Sequence, residues 1–214
     1  MNKDIDIKRI SISGVNSYII SGDEGAVLID TGFYRNRKKL YEQVKDKDIK
    51  IIFLTHGHVD HIGGAAFLSQ ELNVPVAMGK GDLELLNDNF IREVYSSSLL
   101  GNIVRSASIQ NFKKAYYERM KIDIFLTEDM VFEYGKMKIK VIELPGHTKG
   151  SVGFIINNNF FVGDAMMNMV FPTAALIYED KEASLNSVRK IKNADIVYVF
   201  SGHGKKFAIR KFRK

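Results

Sequence analysis

A single decapeptide constrains this chain more than anything else in it. THGHVDHIGG places His56, His58, Asp60 and His61 within six residues, directly behind the apolar run KIIFL at 50–54. In an extended segment, residues two apart point the same way, so His56, His58 and Asp60 leave the strand end on one side. A turn into the following segment then brings His61 beside them. Crowding three imidazoles and a carboxylate together is costly unless a cation sits among them. A surface histidine cluster or a tag would not follow a buried strand or be interrupted by Val, Asp and Gly.

The remaining two of the five histidines have similar settings. LPGHTKGS holds His147 in a Pro-Gly and Thr-Lys-Gly turn behind a strand at 137–143, and FSGHGKK holds His203 between glycines behind a strand at 195–200. Every histidine of the chain therefore falls in a loop at a strand end, where a rigid scaffold can aim a ligand. FFVGDAM adds Asp164 behind a strand at 160–163. The chain has no cysteine, so thiolate ligands, disulfides and cysteine nucleophiles are excluded. A metal held by nitrogen and carboxylate alone points to a catalytic site, since structural zinc usually recruits thiolates.

The chain order of elements follows from periodicity and turn residues. Strands are predicted at 5–12, 16–21 and 25–30, then a helix at 35–47, the buried strand 50–54, a helix at 61–72 with Asp60 as its N-cap, and a strand at 74–78. Residues 80–122 are rich in Leu and aromatic residues and read as a helical insertion of two or three helices. Strands return at 123–126, 131–134, 137–143, 153–156 and 160–163, followed by a helix near 182–192 and the strand 195–200. No linker divides the 214 residues, so one domain spanning 1–214 is expected.

THGHVDHIGG, LPGHTKGS, FFVGDA and SGHG, in that order and preceded by LIDTG at 28–32, resemble the metallo-β-lactamase superfamily, with the glyoxalase II-like branch the nearest in character. The likeness runs from about residue 16 to residue 204. It implies an α+β fold, a four-layer αββα sandwich, and two divalent metal ions. His56, His58 and His147 would hold one ion; Asp60, His61 and His203 the other; Asp164 would bridge them. Asp30 would steady the ligand loop from behind, and Asp60 would be the catalytic group that orients hydroxide and handles its proton. Nitrogen and oxygen donors suit zinc, with iron or manganese as alternatives.

The branch is narrowed by departures from known patterns. True β-lactamases of this family do not use the bridging Asp, and some require Cys. Flavodiiron enzymes carry Glu at the position of His58. Acyl-homoserine lactonases place Tyr where this chain has Met167. Long glyoxalase II enzymes add a C-terminal helical domain, whereas eleven residues follow His203 here, and GDAMMNMVFPTAALIY lacks their glutathione contacts. The expected activity is hydrolysis of a carboxyl-type ester, thioester or lactone. Phosphodiester or RNA cleavage is the alternative, and a mono-iron persulfide dioxygenase-like reaction a third.

The net charge of +6 is concentrated at one end. KKFAIRKFRK holds six of the 31 basic residues, and residues 1–204 carry 25 charges of each sign. A broad nucleic-acid-binding face is therefore not expected. A small-molecule substrate is, with Lys205 and Lys206 placed to meet an anionic part of it, and the insertion 80–122 expected to form a lid or substrate wall in which Phe90, Tyr95 and Tyr116 are the residues to probe. The charged N-terminus MNKDIDIKRISISG and the lack of an apolar run near ~18 residues predict a cytoplasmic protein without a membrane partner.

Overall fold

Along KIIFL the side chains alternate between two cores, and that alternation organises the fold. Ile51 and Phe53 enter a cluster between two sheets, while Ile52 and Leu54 enter another beneath helices. The structure is a computed structural model and describes residues 5–212. Its first sheet contains β1 (Asp6–Ile12), β2 (Val15–Gly22), β3 (Gly25–Ile29), β4 (Ile49–Leu54), β5 (Val76–Gly79) and β6 (Ile124–Leu126), in that spatial order. The first three strands are antiparallel; β3 to β6 run parallel.

The second sheet draws on β7 (Val131–Tyr134), β8 (Met137–Glu143), β9 (Val152–Ile156) and β10 (Asn159–Gly163). A two-stranded hairpin, β11 (Met166–Met167) and β12 (Thr173–Ala174), stands apart; β13 (Tyr198–Ser201) and β14 (Phe207–Ala208) then complete the sheet in the order β14-β13-β10-β9-β8-β7. Phe53, Phe154, Phe161, Ile20, Val27 and Ile139 meet between the sheets and are buried. Each such side chain contributes about 1.5–3 kcal/mol through burial. Helices α1 (Arg37–Val44), α2 (Val59–Ile62), α3 (Ala65–Leu72), α4 (Leu99–Lys113) and α5 (Lys181–Asn193) follow in chain order. Leu40, Val44 and Leu68 of α1 and α3 pack on the outer face of the first sheet, and Val188 and Ile191 of α5 on that of the second. The layers are those expected: helix, sheet, sheet, helix.

Four local expectations are corrected. The helix expected at 61–72 is two helices, with Gly63 and Gly64 between them. A side chain on Gly63 would meet the Val59 and Gly32 carbonyls and the Tyr34 amide, so the chain turns there against its neighbours. Asp60 is not an N-cap. His58 occupies the cap position of α2, and Asp60 lies inside its first turn with its carboxylate free for the site. The insertion at 80–122 holds one α-helix, α4, preceded by a 3-10 turn over Lys80–Leu86. Between them the chain is drawn against the ligand loops by the side chains of Asp82 and Asn89 instead of coiling. Tyr95 also pairs with Tyr178, its amide donating to the Tyr178 carbonyl at 2.7 Å and its carbonyl accepting from the Tyr178 amide at 3.0 Å. The strand expected at 195–200 begins only at Tyr198.

Among the described residues no helix is long and apolar enough to cross a membrane.

Candidate metal centre

Strand direction brings the predicted ligands to one edge of the sandwich. β4 ends just before His56, β8 before His147, β10 before Asp164 and β13 before His203. Strands β8, β10 and β13 point the same way, because two antiparallel pairings separate β8 from β10 and β10 lies parallel to β13. The two sheets are joined at this edge by the Val152 amide, which donates to the Thr55 carbonyl at 2.8 Å. The His203 loop is pinned by Asn16, whose Nδ2 donates to the carbonyls of Ser201 at 2.9 Å and Gly204 at 2.8 Å.

All seven predicted ligands converge. His56, His58 and His147 form one group whose donor atoms lie within 4.8 Å of one another, and Asp60, His61 and His203 form a second. Asp164 stands between them. Its Oδ2 is 3.3 Å from His203 Nε2 and 3.7 Å from His147 Nε2, and its Oδ1 is 3.6 Å from His61 Nε2. Six of the seven are buried, and His203 is half-buried at the mouth.

Outer hydrogen bonds set which ring nitrogen faces inward. His147 Nδ1 donates to the Ile177 carbonyl at 2.9 Å, and His203 Nδ1 to the Gly14 carbonyl at 2.9 Å. His61 Nδ1 lies 2.9 Å from Asp30 Oδ2. The Thr55 hydroxyl donates its hydrogen to Asp30 Oδ2 at 2.8 Å, so Thr55 Oγ1 accepts from His56 Nδ1 at 3.0 Å. Four rings thus direct Nε2 inward. His58 is turned the other way, its Nδ1 facing His147 Nε2 at 3.0 Å. Asp30 holds two of the ligand histidines, one directly and one through Thr55, from a backbone position of positive φ (58°) at the end of β3.

The electrostatics divide the cluster into two halves. Burial pushes His58 down to about 3, with the neighbouring His147 adding to the effect, and burial together with the charge of His61 holds His56 well below the ordinary value. For His61 burial acts downward but is outweighed by Asp60, Asp30 and Asp164, and the ring is pushed up to about 9. His203 is raised well above its ordinary value in the same way, by Asp164 and Asp60 against burial. Burial would raise both carboxylates, yet His61 and His203 hold Asp60 below its ordinary range and Asp164 well below it.

Four buried atoms at the centre have no hydrogen-bond partner: His56 Nε2, His61 Nε2, Asp60 Oδ1 and Asp164 Oδ1. Orphaned polar atoms on this scale are rare in a folded interior and mark a missing partner. Lone pairs from imidazole and carboxylate, converging without sulfur, are the donor set of a divalent cation. The residues present fit such ions. A pocket of about 280 Å³ opens above them, walled by Phe33, Val104, Phe112, Met167, Met169 and Ile177.

Sequence reading missed the side chains that hold the ligand loops to each other. Asp82 is fully buried; its Oδ2 accepts from the Gly57 amide at 2.8 Å and from Thr148 Oγ1 at 2.6 Å, and its Oδ1 from the Gly150 amide at 2.8 Å and Arg92 Nη2 at 2.6 Å. Asn89 clamps the same loop, accepting from the Val59 amide at 2.8 Å and donating to the Gly57 carbonyl at 2.9 Å. An isolated Asp or Asn in a loop-rich stretch carries no sequence signal of this role.

Other expectations are redrawn. Lys205 and Lys206 do not line the pocket above the ligands. They line a groove of about 1060 Å³ with Ile7, Arg9 and Asn158, where Lys206 Nζ lies 4.9 Å from the Tyr198 ring centroid. Arg213 and Lys214, the last cations of the basic run, lie outside the described residues. Of the three expected lid residues, Phe90 lines a compartment beside the ligands, whereas Tyr116 packs edge-on against Tyr34 and Tyr95 bonds to Glu93. The part of the insertion that walls the pocket is α4, through Val104, Ala107, Ser108 and Phe112.

Comparison with known proteins agrees with this geometry. The family described as the metallo-beta-lactamase superfamily matches residues 11–203. The hydroxyacylglutathione hydrolase GloC of Haemophilus influenzae is 26% identical over 207 residues, covering 94% of this chain and 90% of that protein. The probable metallo-hydrolase MJ0888 of Methanocaldococcus jannaschii is 29% identical over 198 residues, covering 88% of this chain and 87% of the relative. Among solved structures, TTHA1623 in a di-iron-bound form superposes with a TM-score of 0.70 at 24% identity, covering 95% of each chain.

Proposed function

This chain belongs to the metallo-β-lactamase superfamily, and from that premise we propose that it is a dinuclear metallo-hydrolase that cleaves a carboxyl-type ester, thioester or lactone of a small molecule. The observation that carries the reading is the position of Asp164 between two triads of imidazole and carboxylate donors. His56, His58 and His147 would hold one ion, Asp60, His61 and His203 the other, and Asp164 would touch both. Zinc is the metal proposed first, for its nitrogen and carboxylate donors, with iron or manganese as the alternatives. When bound, two such ions would lower the pKa of water toward ~7 and polarise a carbonyl oxygen.

The chain's own residues do the rest. Asp60 has one oxygen near His203, at 3.4 Å, and the other unpaired and aimed inward, so it can orient a water and accept its proton. Asp30 and Thr55 keep His61 and His56 in one tautomer each, which preserves their inward lone pairs. The mostly apolar walls of the pocket, among them Phe33, Phe112 and Ile177, exclude water around a bound acyl group. No serine or cysteine nucleophile is needed. The hydroxyacylglutathione hydrolase among the relatives supports the thioester form of the reaction.

The second reading, phosphodiester cleavage, is favoured by the groove that carries Arg9, Lys205 and Lys206, yet that groove shares no residue with the metal-side pocket. The test is a panel of ester, thioester, lactone and phosphodiester substrates with zinc-, iron- and manganese-loaded protein. Turnover of a carboxyl-type substrate, abolished by chelation and restored by metal, is expected. Turnover of phosphodiesters alone would replace this reading with the second.

A further inference from the structure

The metal-side pocket does not end at the ligands. Ser108, Phe112 and Ile177 also line a smaller compartment of about 150 Å³ that continues beside His58 toward Phe90, Val94 and Arg105. Phe90, Val94, Ile109, Phe112 and Ile177 give it apolar walls, interrupted by His58, Asn89 and Ser108, and two guanidinium groups and one carboxylate complete the lining.

The partners of those charges differ. Arg92 is committed: Nη2 meets Asp82 at 2.6 Å, Nη1 donates to the Gly81 carbonyl at 3.0 Å, and Nε pairs with Glu179 at 3.2 Å. Glu93 accepts the Tyr95 hydroxyl at 2.7 Å. Arg105 spends only Nε, on the Val94 carbonyl, and forms no ion pair among the described residues. Its two terminal nitrogens are therefore available in a half-buried setting where a counter-charge is only partly screened. The metal-side pocket itself is lined by no lysine or arginine.

The geometry points to a specificity site in which Arg105 receives a carboxylate carried by the substrate, at the end of a short apolar spacer whose ester or thioester carbonyl lies over the metal ligands. This rests on the hydrolase reading above and names its substrate class as an acyl ester or thioester bearing a second, anionic end. A carboxylate suits a single guanidinium, whose terminal nitrogens match its two oxygens. A phosphate dianion would call for more than the one uncommitted cation present.

The experiment compares two p-nitrophenyl esters of equal length, the monoester of glutaric acid and its carboxamide-terminated analogue, on zinc-loaded protein. In wild type the carboxylate ester should have the higher kcat/KM, through KM. Arg105→Gln should shrink the ratio of the two kcat/KM values by about tenfold, the scale of one charge-assisted hydrogen bond, and Arg105→Lys should restore part of it. A ratio that is the same in wild type and Arg105→Gln overturns the proposal while leaving the hydrolase reading intact.

Failure to turn over either ester speaks against the ester reading, and the site is then judged by binding alone. Titration calorimetry of glutarate, with methyl phosphate in parallel, should show glutarate bound more weakly by Arg105→Gln. Equal glutarate affinity in the two proteins, or no binding to either, overturns the site. Preference for methyl phosphate overturns its assignment to carboxylates.

Discussion

Asp82 and Thr148 share a buried hydrogen bond of 2.6 Å that fastens the loop of His147 to the loop of His56 and His58. The same carboxylate oxygen accepts from the Gly57 amide, so one atom spans two loops that supply three of the candidate ligands. Asp82→Asn should weaken metal affinity by roughly 10- to 100-fold, the usual cost of disturbing groups that orient ligands. Asp82→Ala should also destabilise the fold by about 3 kcal/mol, because Arg92 loses its buried partner. Chelator competition and thermal unfolding check the two effects separately. Unaltered affinity in both variants would assign Asp82 to the fold alone.

Two ions per chain are expected, with Asp164 as the residue they would share. Elemental analysis of wild type should give two equivalents at full activity, and Asp164→Ala should give about one or fewer, since each triad loses a donor within reach. One equivalent in fully active wild type would refute the dinuclear mechanism.

Metal loading should depend on pH differently at the two triads. In the metal-free protein His61, pushed up to about 9, and His203, raised well above its ordinary value, carry protons at pH 7, whereas His58, near 3, does not. A metal entering beside Asp60, His61 and His203 must displace those protons, so its affinity rises with pH. Each displaced proton gives roughly tenfold per pH unit below the ligand's pKa. The His56, His58 and His147 site gains less from the same change, since His56 and His58 are already neutral. Zinc titrations between pH 6 and 8 should therefore resolve a strongly and a weakly pH-dependent step. Two steps of equal pH dependence would contradict the division.

Gly202 lies against the centre. A Cβ there would collide with Asp164 Oδ1 and stand 2.6 Å from His61 Cε1. Gly202→Ala should lower metal content and activity while the far-ultraviolet circular dichroism stays native, because the crowding is local to the ligands. Full metal content in Gly202→Ala would mean that the His203 loop yields without cost.

The helix α4 covers the metal-side pocket through Val104, Ala107 and Phe112 while Leu99, Leu100 and Ile103 are exposed. Phe112→Ala should change KM and acyl-chain preference more than metal content, since the residue lines both pocket compartments and its ring lies tilted beside His58, 5.4 Å between centroids. Identical kinetics across a chain-length series would remove α4 from substrate selection.

The cluster of candidate ligands was legible because its chemistry is local. Spacing within THGHVDHIGG, the turn residues around His147 and His203, and the absence of cysteine all act over a few residues, and each strand before them is marked by its own alternation. The layered fold owed more to the resemblance carried by four ordered motifs than to the alternation within the strands. Where neighbours decide, reading along the chain failed. The turn at Gly63 admits no side chain because Tyr34 and Val59 crowd it, and residues 87–98 leave helical geometry where Asn89 and Tyr95 bond to segments that are remote in sequence.

The sequence alone therefore determined which groups could meet a metal, since donor type and strand-end position are properties of short segments. Only the tertiary structure decided how they are held and what else reaches them. The inward nitrogen of three of the five histidines depends on an acceptor from another segment: Ile177 for His147, Gly14 for His203 and Asp30 for His61. Lys205 and Lys206, next to His203 in sequence, line a separate groove, while Arg105, 98 positions before His203, lines the compartment beside His58. Proximity along the chain limits only backbone distance; the direction of a side chain is set by the packing of whole elements, and that is not written in any one of them.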